Sequence, residues 1–63
     1  MEAKFAIGGR SYLLQGDRQK GWDIYLDQGN LAPILLKEKQ GEGEKQLPVY
    51  ALMDYLNPKS ERR

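Results

Sequence analysis

Short alternations of apolar and polar residues fill the N-terminal two-thirds of the chain, and the period changes near the C-terminus. Residues 3–7 (AKFAI) and the run RSYLLQ that begins at Arg10 are both β-prone, and they flank Gly8-Gly9. A glycine pair between such runs predicts a hairpin, because glycine reaches the positive φ values that tight turns need. Its register stays open. A two-residue turn sets Phe5 opposite Tyr12, whereas a three-residue loop sets Phe5 opposite Leu13. The polar stretch GDRQKG, 16–21, then reads as a loop bounded by glycines.

A second hairpin is predicted over GWDIYLDQGNLAPILLKEK, 21–39. With Gln28-Gly29-Asn30 as a three-residue loop, Leu26 pairs with Ala32, Ile24 with Ile34 and Trp22 with Leu36. That register puts the apolar residues on one face, as a half-buried antiparallel sheet requires. It leaves Tyr25, Leu31, Pro33 and Leu35 facing water beside Lys37 and Lys39. Pro33 has no N–H to give to a ladder and belongs at an edge or an irregularity.

Residues 37–46 (KEKQGEGEKQ) carry six charges, two glycines and no apolar side chain. They read as a solvated, mobile loop. Gly41-Glu42-Gly43 is no phosphate cradle: Gln46 stands where a dinucleotide fingerprint needs its third glycine, and Glu42 and Glu44 repel phosphate. Beyond it the period becomes helical. Val49, Leu52, Met53 and Leu56 recur at i, i+3, i+4 and i+7, with Pro48 suited to the first turn and Asn57-Pro58 as the stop. Tyr50 and Tyr55 lie off that stripe and would flank it. A helix this short does not persist alone and must dock on the sheet. The expected fold is α+β: a four-stranded antiparallel β-meander of two hairpins, with one C-terminal α-helix packed on one face. It forms a single domain over 1–57, followed by a charged tail at 58–63.

Composition narrows the chemistry. At 63 residues the chain sits near the lower limit for a self-sufficient core. Without cysteine it has neither disulfides nor thiolate metal sites, so self-association or a partner is a natural source of added stability. Histidine is absent as well, removing the commonest general base and zinc ligand. Ser11 and Ser60 are the only serines and neither sits in a nucleophile elbow. These residues point away from an enzyme and call for no cofactor and no metal.

Asp23 and Asp27 flank Tyr25, but four residues along a strand separate them by about 13 Å, too far for shared acid–base or metal chemistry. They read as the wet face of a strand. Trp22 reads as a core anchor. The net charge of +1 creates no strong field, and no apolar run of about 18 residues spans a membrane. Cytoplasmic is the default location.

Two functional readings follow. The first is a small protein-binding or regulatory module acting through the outer face or edge of the second hairpin, on a protein partner or a second copy. Its contact residues are Tyr25, Leu31, Pro33, Leu35, Lys37 and Lys39. The alternative is a small nucleic-acid-binding protein using Arg10, Arg18, Lys20, Lys37 and Lys39 with nearby aromatics. Asp17, Glu38, Glu42 and Glu44 share those loops and weaken the second reading, since phosphate contacts require a net positive surface.

Overall fold

The computed structural model describes residues 1–39 and 46–57. The charged loop expected over 37–46 falls outside the described residues at 40–45, and so does the tail at 58–63. The elements are β1 (Glu2–Ile7), β2 (Arg10–Asp17), β3 (Gly21–Leu26), β4 (Ile34–Lys37) and α1 (Pro48–Leu56), and the strands pair in sequence order as one antiparallel sheet. The α+β meander with one C-terminal helix is thus the observed architecture. No helix among the described residues is long and apolar enough to cross a membrane.

The first hairpin takes the two-residue turn. Phe5 faces Tyr12 and Ile7 faces Arg10, with Gly8 and Gly9 at φ 59° and 79°. Both values are the left-handed ones that such turns demand and that glycine adopts without strain. β2 and β3 run further toward each other than a 16–21 loop implies. Asp17 still pairs with Gly21, leaving residues 18–20 as the tip. Gly16 holds φ 146°, and a Cβ there would overlap the Gly21 carbonyl oxygen.

The second hairpin departs from the expected register. Leu26 faces Ile34 and Tyr25 faces Leu35, and a bulge then sets Ile24 opposite Lys37. The pairs Leu26–Ala32, Ile24–Ile34 and Trp22–Leu36 do not form. Two causes are visible. Local bonds fold the connection on itself: Gly29 N–H donates to Asp27 Oδ1 at 3.0 Å and Gln28 Nε2 to the Ala32 carbonyl at 3.0 Å. Pro33, which would stand opposite Tyr25 in the shorter loop, instead stays outside the ladder. Over Leu26–Ile34 and Tyr25–Leu35 the slip is two residues, which preserves the face those side chains take. Beyond the bulge it is three, and Lys37, expected on the outer face, comes opposite the buried Ile24.

One face of the sheet is dry. Tyr12, Leu14, Trp22 and Ile24 are buried there with Leu52 of α1, and Phe5, Leu26, Leu36, Ala51, Tyr55 and Leu56 pack around them. Trp22 Nε1 donates to the Gln46 carbonyl at 3.1 Å, tying the start of the helical segment to β3, and Gln46 Nε2 bonds Asp54 Oδ2 at 2.8 Å. Trp22 is the anchor expected, but its cross-strand neighbour is Gly16, not Leu36.

The helix is rotated from the expected stripe. Leu52 and Tyr55 face the sheet, while Met53 turns to solvent with 44% of its surface exposed. A tyrosine ring covers more apolar surface than the methionine would, which favours this rotation. At the C-terminus the Asn57 N–H caps the Met53 carbonyl at 2.9 Å.

Gly16→Ala is expected to destabilise the fold by about 3 kcal/mol or more in urea denaturation, because it adds both a clash and an unfavourable φ. Gly8→Asn, at an open position whose φ asparagine tolerates, is expected to change stability by less than about 1 kcal/mol.

Candidate protein-binding surface

Period-2 alternation sends every second strand residue to the face opposite α1. The cross-strand registers align these outer residues in rows. One row runs Lys4–Leu13–Tyr25–Leu35 across all four strands. Leu13 and Tyr25 are half-buried, and Leu35 keeps 49% of its surface exposed. The amide of Asp27 donates to the Ser11 carbonyl at 2.9 Å, which sets the phase of the β2–β3 ladder. By alternation the backbone of Tyr25 points at Leu13, so Tyr25 and Leu35 form a non-hydrogen-bonded pair, in which side chains sit closest.

Polar residues border this row. Toward the 18–20 tip the next row is Glu2–Gln15–Asp23, with Gln15 Nε2 donating to Glu2 Oε2 at 3.2 Å. Toward the other end lie Ala6 and Ser11. An apolar strip with a polar margin has the anatomy of a protein contact site.

Of the residues picked from sequence, Tyr25 and Leu35 stand directly opposed on this face. Leu31, 66% exposed, and Pro33, also exposed, lie in the connection before β4. Lys37 is half-buried at the end of β4, and Lys39 is exposed just beyond it. Leu13 was missed. Its signal was present in the alternation of RSYLLQ, because the two-residue turn that places Tyr12 inside necessarily places Leu13 outside. Apolar exposure also occurs on the helix, at Tyr50 with 59%.

The aspartates do structural work. Asp23 is not merely a solvated strand residue: it is half-buried, and its Oδ1 accepts the Lys39 N–H at 2.8 Å, holding the chain as it leaves β4. Asp27 closes its own loop through Gly29. Asp17 Oδ1 accepts the N–H groups of Lys20 at 2.7 Å and Gln19 at 3.0 Å. The Lys20 bond is the main reason its carboxyl titrates below the usual 3.8; partial desolvation opposes it, and the Gln19 bond and the charges of Lys20 and Lys39 add smaller lowering effects. Among the described residues no group of acidic side chains converges as a metal site.

Antiparallel pairing of β3 with β2 and β4 places the end of β4 and the 18–20 tip at one end of the sheet. Arg18, Lys20 and Lys39 therefore gather with Asp17 and Glu38, whereas Arg10 follows the Gly8-Gly9 turn at the opposite end. Among the described residues the basic side chains form no single patch. No protein-family model matches the chain, and no curated protein and no solved structure matches it either.

Asp17 gives a pH signature. A carboxyl with a lowered pKa in the folded state stabilises the fold above its unfolded pKa, and the contribution is lost as pH falls through the folded value. The stability advantage of the native chain over Asp17→Asn is expected to be constant above about pH 5 and to shrink below about pH 4. Urea midpoints measured from pH 2 to pH 7 in roughly one-unit steps check this.

Proposed function

We propose that this chain is a small non-enzymatic protein-binding module of adaptor or regulatory type. It holds a partner protein against the row Leu13–Tyr25–Leu35. The observation that carries this reading is the opposition of three apolar side chains across adjacent strands, on the face that α1 leaves open. Tyr25 supplies a rigid ring of the kind enriched at binding hot spots, with Leu13 and Leu35 packing at its sides. Lys4 at one end of the row, and Lys37 and Lys39 near the end of β4, set orientation at the rim. Leu31 and Pro33 extend the contact along the β3–β4 connection. β4 itself is too short and too irregular to be the main attachment, which favours the face over that edge.

The nucleic-acid reading has less behind it. Its cations divide between the two ends of the sheet, and acidic residues stand among those at the 18–20 end.

The test is capture of partners from a cell extract by the immobilised chain, followed by affinity measurement on the recovered protein. Leu35→Asp and Tyr25→Ala, each with an unchanged circular dichroism spectrum, are expected to weaken binding at least tenfold. Equal binding by wild type and both variants contradicts the proposal. A mobility shift with nucleic acid that collapses between about 50 and 200 mM salt, and that Leu35→Asp leaves intact, moves the function to the basic end of the sheet.

A further inference from the structure

The two edges of the sheet differ in their readiness to pair. β4 spans four residues, follows Pro33 and carries the bulge, all devices that blunt an edge strand. β1 is six residues long, pairs with β2 without irregularity and contains no proline. Its hydrogen-bonding phase is set at its start, where the Gly16 N–H donates to the Met1 carbonyl at 3.0 Å. Backbone groups reverse direction at each residue of an antiparallel strand. Those of Met1, Ala3, Phe5 and Ile7 therefore face β2, and those of Glu2, Lys4 and Ala6 point outward from the free edge.

We propose that this edge receives β1 of a second copy of the chain, antiparallel, about a two-fold axis at Ala3. Glu2 of each copy then exchanges both backbone hydrogen bonds with Lys4 of the other. Opposed side chains share a face, so each Glu2 carboxylate meets a Lys4 ammonium on the outer surface. On the inner surface Met1, 84% exposed in the single chain, comes opposite Phe5 of the second copy. Thioether–ring contacts of this kind are favourable.

The neighbouring registers are worse. An axis at Lys4 opposes two lysines directly, and an axis at Phe5 sets Glu2 against the Gly8 turn. The existing bond from Gln15 to Glu2 Oε2 is compatible, since a carboxylate accepts several hydrogen bonds. Edge pairing of this length buries less than about 1,200 Å², the lower limit of standard interfaces, so the dimer is weak and concentration-dependent. It is independent of the outer-face reading: it leaves Leu13, Tyr25 and Leu35 uncovered and brings two such rows onto one continuous sheet.

Sedimentation of the full chain from about 10 µM to about 1 mM tests the proposal, since weak dimers dissociate in that range. The wild type is expected to pass from monomer to dimer. Lys4→Pro removes an outward N–H while leaving the β1–β2 ladder whole, and is expected to stay monomeric. Glu2→Lys is expected to weaken the dimer about tenfold, and adding Lys4→Glu to restore it. Leu35→Asp is expected to dimerise like the wild type. A monomer at every concentration overturns the proposal. So does a dimer indifferent to Glu2→Lys, or one that Leu35→Asp abolishes while the β1 variants do not. Should Lys4→Pro fail to fold, the charge reversal and its rescue decide the matter alone.

Discussion

The fold depends on one joint, the seating of Leu52 against Tyr12, Leu14, Trp22 and Ile24 on a single face of the sheet. A meander of four short strands has no second sheet to close against, and a nine-residue helix does not hold its shape alone in water. Each element becomes stable by covering the other. The indole–Gln46 hydrogen bond strengthens that dependence, because it fixes the residue from which the helical segment starts. Three side-chain carboxylates then fasten the turns: Asp17 at the 18–20 tip, Asp27 in the following connection, and Asp23 where the chain leaves β4.

A joint of this kind has an unavoidable counterpart. One helix covers one face, so the other face of the sheet must be polar, paired with something, or exposed. Here its centre is neither fully polar nor covered by α1. Leu13, Tyr25 and Leu35 form its middle row, and charged or amide side chains occupy the row beside it. The sheet edges divide in the same sense: the bulge and Pro33 protect β4, while β1 keeps a regular set of outward backbone groups. The surfaces offered for contact thus follow from the fold's economy of layers, not from any cluster of reactive groups.

Much of this is legible in the amino-acid sequence alone. Pro48, Asn57 and the helical spacing between them bounded α1, and the glycine pair located the first turn. The face assignment of Tyr25 and Leu35 survived a mistaken register because the slip was an even number of residues. What was not legible depended on competition or on distance along the chain. Bonds within residues 27–32 outweighed two further ladder pairs, and nothing in the alternation measures that balance. The contact of Asp23 with the Lys39 amide joins positions sixteen apart. The rotation of α1 that exchanges Met53 for Tyr55 reflects the shape of the sheet surface, which a one-dimensional stripe does not describe.

The central claim is that sheet and helix stand or fall together through the Leu52 joint. Amide hydrogen exchange on Leu52→Ala tests it most directly. The account predicts that protection of the β2–β3 ladder, including the Leu13 and Tyr25 amides, falls together with that of α1. The common loss should be about 2–5 kcal/mol, or all protection if that exceeds the stability of the domain. Loss of protection confined to α1, with the β2–β3 amides as protected as in the wild type, would contradict it.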